Sequence, residues 1–158
     1  MGWLDDKAAA PDVLISRGSF FPPVSRARFI AEYRPPGELP LGTVTAHLRQ
    51  AVIYVGRQLD EWRKTQTAAT LADVPAELVT EVQDGETTEI SELVALFDRA
   101  GFCEAKAEIL KETLTADRRA AAENNAKTGS ETEEKYREFA ADAISLIVEG
   151  DRVYVGEI

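Results

Sequence analysis

The sequence predicts an all-α protein, a bundle of about four helices with an extended N-terminal arm and a short C-terminal β-strand. Three observations carry this reading. Apolar residues recur every three or four positions over several long segments. Proline and most of the glycines fall between those segments. Outside them, the β-prone stretches picked out are short, at Val13-Leu14-Ile15 and over Arg152–Ile158. The boundaries that follow are an extended arm over 1–24, a helical domain over 25–150 and a β-prone tail over 151–158. A chain of 158 residues suits one domain and buries a sizeable core without staples.

In the arm, Phe20-Phe21-Pro22-Pro23 sets two large rings against a rigid turn. Phe20 and Phe21 are expected to dock, on the protein's own core or on a neighbour. Ser25 is placed to cap a short helix over Arg26–Tyr33, which Arg34-Pro35-Pro36-Gly37 stops. A long helix starts near Thr43. Val44, Leu48, Val52, Val55, Leu59 and Trp62 form its stripe, and it ends among the weak helix formers of residues 65–70. Leu71-Ala72-Asp73-Val74-Pro75 reads as a connector with buried anchors, and Asp84-Gly85 as a turn.

A third helix is expected from about Thr88 to Leu114, striped by Ile90, Leu93, Val94, Phe97, Ile109 and Leu110, with Gly101 a weak point or a close-packing position. Residues 115–130 lack apolar anchors and read as a loop or a fraying helix extension. The last helix has a capping-box pair, Ser130 and Glu133, then Tyr136, Phe139, Ala140, Ala143, Ile144 and Ile147, with Gly150 at the C-cap position. The tail beyond it has no obvious partner strand except residues 13–15, so a partner is expected to pair with it.

Charge narrows the function. The net charge is −10, but residues 1–70 hold 9 basic and 7 acidic side chains while residues 71–158 hold 9 and 21. A surface that grips DNA needs clustered cations, and the C-terminal half has the opposite. It reads as solvated surface, or as a surface that sits near nucleic acid without sticking to it. The longest apolar run picked out, Ala51–Val55, is far short of the roughly 18 residues of a membrane span. No basic leader precedes it, so synthesis in a reducing cytoplasm is expected.

Material for chemistry is sparse. His47 has no His or Cys at ligand spacing, and Cys103 is a lone thiol that reads as a small apolar residue. No glycine-rich phosphate loop occurs. Glu104, Glu108 and Glu112 recur every four residues on one helix face, read as a solvated or interface face. No catalytic residue, metal or cofactor is expected. Two readings from other classes stand beside the one below: an acidic cytoplasmic interaction module binding a basic partner, and a carboxylate–metal hydrolase.

Taken in order, the features form a pattern. Phe20-Phe21-Pro22 leads into a short helix bearing Arg26 and Arg28. A long helix closes on Leu59-Asp60-Glu61-Trp62-Arg63, and Leu71-Ala72-Asp73-Val74-Pro75-Ala76 follows. Asp84-Gly85-Glu86 precedes the next helix, and a final helix carries Tyr136-Arg137, Ala140, Ala143-Ile144 and Ile147. This order and spacing resembles the head-completion (GpL-type) family of contractile-tailed phages over about residues 20–158. Leu71–Ala76 is its most specific element. Residues 1–19 and the proline-rich connector at 35–42 lie outside the pattern.

The resemblance implies a structural, non-enzymatic virion protein at the head–tail interface, made in the host cytoplasm. It implies an adaptor ring, commonly of twelve copies, beneath the portal protein, extending the channel through which DNA passes without specific binding. The ring would also dock a neck, tail-terminator or stopper protein. In that setting Arg152, Val153, Tyr154, Val155 and Ile158 are expected to contact the portal or a neighbouring subunit by β-augmentation. Glu104, Glu108 and Glu112 are expected to face the channel.

Overall fold

The computed structural model describes residues 10–117 and 123–156, with side chains over 10–113 and 132–150. In chain order the elements are β1 (Leu14–Ile15), β2 (Val24–Ser25), α1 (Arg26–Tyr33), α2 (Leu41–Lys64), a 3₁₀ turn (Leu71–Asp73), β3 (Leu78–Gln83), β4 (Glu86–Ser91), α3 (Glu92–Asp117) and α4 (Glu123–Gly156). The all-α expectation is therefore corrected. Helix dominates, but two antiparallel two-stranded sheets, β1–β2 and β3–β4, make this a mixed fold.

Local chemistry explains the first elements. Leu14 pairs with Ser25 and Ile15 with Val24, so the strand of residues 13–15 is completed by its neighbour in sequence and not by the C-terminus. Ser25 then switches the chain from strand to helix: its Oγ accepts from the Arg28 backbone N–H at 3.1 Å. At the other end of α1, Arg34 turns into the left-handed region at φ 43° and its N–H returns to the Ile30 carbonyl. α2 begins directly after Pro40 and carries Arg63 and Lys64 in its last turn, where cations suit the carbonyl end of the helix dipole.

The second sheet is the larger departure. Residues 78–91 form a hairpin, six residues a side, with Gln83 opposite Glu86. Asp84 and Gly85 both hold positive φ, 53° and 80°, the backbone that a two-residue hairpin turn of the primed type demands and Asp-Gly supplies. Ile90 thus belongs to β4, and α3 starts at Glu92 instead of near Thr88.

α4 departs at both ends. It begins at Glu123, so Ser130 is interior to the helix and not its cap, and it continues through Gly150 to Gly156. The expected strand at Arg152–Val155 is helix instead. Extending an existing helix adds a hydrogen bond per residue, whereas β-prone residues with no partner strand gain none. Ile158 lies outside the described residues.

The core forms where α2, α3 and α4 meet and α1 closes one side. Phe29, Leu48, Val55, Leu59, Leu71, Phe97, Ile109 and Ile147 are fully buried. α3 is the central element: every side chain from Ala100 to Ala107 is buried. Contacts of Arg137 with Glu104 and Glu108, and the groove joining Ile147 to Leu93, run α4 antiparallel to α3. Small residues, Ala105, Ala140 and Ala143, are buried where these helices lie together.

Candidate functional site

The acidic face of α3 is built into a seam. Arg137 of α4 reaches Glu104 at 3.1 Å, Glu108 at 2.7 Å and Glu133 at 3.1 Å, so one guanidinium serves three carboxylates. Glu104 is buried, and that burial, ahead of the opposing attraction of Arg137, pushes its pKa above the ordinary glutamate value. Glu112 pairs with His47 of α2. Glu104, Glu108 and Glu112, expected to face a channel, meet these partners within one subunit. They sit together as expected from their spacing, but their carboxylates are engaged between helices.

Two further cations hold α1 to α3. Arg28 bonds Asp98 at 2.9 Å and Glu32 at 2.9 Å. Burial raises the pKa of Asp98 in spite of Arg28. The Lys106 ammonium donates to the carbonyls of Tyr33 and Arg34 at 2.7 and 2.9 Å, satisfying orphan acceptors at the end of α1. Cys103 is buried with its Sγ 3.8 Å from the Tyr33 hydroxyl, and burial pushes its thiol pKa up.

Phe20 and Phe21 dock on the protein's own core, 4% and 2% exposed. The Phe21 ring stacks on Phe97 at 4.9 Å. Phe20 sits edge-on to Trp62 at 6.3 Å, under the Arg63 guanidinium. Neither ring is open to a neighbour.

Open surface lies elsewhere, at the junction of α2, the 3₁₀ turn, α3 and α4. A groove of about 250 Å³ is lined there by Trp62, Val74, Leu93, Leu96, Leu146 and Ile147, with Glu77 and Glu92 beside it. Trp62 is buried, and its indole Nε1 has no acceptor among the described residues. Glu77 and Glu92, joined by a 2.9 Å backbone bond, flank the β3–β4 hairpin, which leads away from this junction. The hairpin and groove escaped the sequence reading. The signal was present: Asp-Gly between segments rich in Val and Thr.

A family model described as phage head completion protein (GPL) matches residues 15–158. The chain belongs to this family. As a head completion protein it is a phage structural component of the virion that works among other head and tail proteins. The matched span begins within β1 and includes Phe20 and Phe21. No curated protein and no solved structure matches the chain.

Proposed function

We propose that this head completion protein is an adaptor that assembles as a ring beneath the portal, extends the DNA channel and presents a docking face to neck or tail proteins. The observation that carries this reading is the family match over residues 15–158. The excess of carboxylates over cations in residues 71–158 supports it, because DNA passes an acidic wall without adhering. The proposed channel face is that of Glu104, Glu108 and Glu112, of which Glu108 and Glu112 stay 38% and 60% exposed beside their partners. The C-terminal residues Arg152, Val153, Tyr154, Val155 and Ile158 are the proposed portal or neighbour contact, with Arg152 to Val155 in a helix end and not in a paired strand.

Mass by light scattering, with and without purified portal or emptied capsids, tests the reading. A free subunit that co-sediments with portal in a ring-sized complex supports it. A stable dimer that ignores both portal and capsids overturns it in favour of an acidic interaction module.

A further inference from the structure

The β3–β4 hairpin is exposed to a degree that its own contacts do not explain. All six residues of β3 are exposed, and so are Glu86 through Glu89 of β4. An isolated two-stranded hairpin is marginal in water, and this one spends large apolar side chains on solvent: Leu78 is 58% exposed and Val82 70%. The register sorts them. Leu78 opposes Ser91, Thr80 opposes Glu89 and Val82 opposes Thr87, so Leu78, Thr80, Val82 and Thr87 share one face with a single carboxylate. The charge of the hairpin and its flanking residues has one sign: from residue 77 to residue 92 the chain holds six carboxylates and no lysine or arginine. Glu81, Asp84, Glu86 and Glu89 form no ion pair among the described residues.

We propose that the hairpin is a docking arm for a basic protein surface on another component of the phage head, with the Leu78–Val82 face against apolar surface and the hairpin carboxylates against lysines and arginines around it. Charge complementarity selects this occupant. A second hairpin of the same kind would bring like charges together, and nucleic acid would be repelled. The apolar contact continues past Glu77 and Glu92 into the groove beside Trp62, so the arm and the groove form one surface. The inference rests on the head-completion adaptor reading and names a surface for it.

The test uses the full chain and emptied capsids that lack this protein, in co-sedimentation at low and moderate salt. Two variants are compared with wild type: Leu78→Ser with Val82→Ser, and Glu81→Gln with Asp84→Asn, Glu86→Gln and Glu89→Gln. All six side chains are exposed, and thermal melts by circular dichroism check that both variants fold. Each variant is expected to weaken capsid binding by about tenfold or more, equivalent to about 1.4 kcal/mol, with the wild-type affinity falling as salt rises. Wild-type binding that neither variant changes overturns the docking arm and leaves the adaptor reading standing. Loss in the serine variant alone overturns the basic partner. Variants that instead lower the mass of a self-associated form, with capsid binding intact, identify a second copy as the occupant and overturn the proposal. Wild-type protein that ignores capsids overturns the adaptor reading and this inference with it.

Discussion

Arg17 lies across Gly56. A Cβ built at position 56 would stand 2.6 Å from Arg17 Cδ, and the guanidinium beyond it grips Asp60 with two bonds of 2.9 Å. The segment between β1 and β2 is thus seated on α2 at the point where α2 has no side chain. Glycine in a helix interior costs about 1 kcal/mol relative to alanine, while a half-exposed ion pair contributes about 1 kcal/mol or less. Gly56→Ala should therefore gain little or lose stability in the wild type, yet gain about 1 kcal/mol in an Arg17→Ala background. A double-mutant cycle by urea denaturation reads the difference. Equal effects in both backgrounds would show that Arg17 has no claim on the site.

Gly101 is the contrasting case. It too is interior to a helix, but an added Cβ there meets nothing within 4 Å outside its own helix. Gly101→Ala should stabilise by about 0.5–1 kcal/mol, raising Tm by a few degrees for a chain of this size. An unchanged or lowered Tm in a calorimetric scan would show that the space is not usable.

Phe21 fills the interior beside Phe97 at 2% exposure. Phe21→Ala should cost about 3–5 kcal/mol, measured as a shift in denaturation midpoint. A disposable arm would lose less than about 0.5 kcal/mol, and that result would remove residues 20–21 from the folding unit.

Glu104 gives the molecule a pH signature. Its folded-state pKa is raised above the ordinary 4.5, first by burial. Between the unfolded and the raised folded value, the folded chain binds more proton than the unfolded one. The contribution is fully present below the unfolded value and is lost as pH rises through the raised one. Glu104→Gln removes that slope while Arg137 keeps Glu108 and Glu133. Relative to wild type, its Tm should stand higher at about pH 7 than at about pH 4. A difference of the opposite sign would mean that the Arg137 pair outweighs burial.

Helices α1 and α2 were legible because their signals are local. Ser25 caps at the position its spacing to Arg28 implies, and the α2 stripe from Val44 to Trp62 is buried throughout. The β3–β4 hairpin was harder, since its strands expose both faces and so lack the alternation that marks a half-buried strand. Its turn was visible in Asp84-Gly85; its strands were not. Helical periodicity also overshot at Ile90, which is partly buried for a different reason, as the foot of β4. At the other end, the β-propensity of Val153-Tyr154-Val155 misled, because propensity yields to a helix already running. The acidic ladder at Glu104, Glu108 and Glu112 was visible, but its partners come from 29 and 33 residues away at Arg137 and from His47 in α2. No window on α3 alone reveals them.

The cap that Lys106 places on Tyr33 and Arg34 joins residues 73 and 72 positions apart, and Phe21 waits equally for Phe97 and Arg28 for Asp98. During synthesis, the end of α1, Phe21 and Arg28 therefore leave the ribosome well before these partners. α1 emerges with bare carbonyls at its end and the Phe21 ring without its stacking partner, and stays so until the middle of α3 has been made. These contacts close only on α3, at large sequence separation. A ribosome-bound fragment stopped before residue 97 should carry α2 with Arg17 seated on it, but leave Phe21 and the end of α1 unprotected.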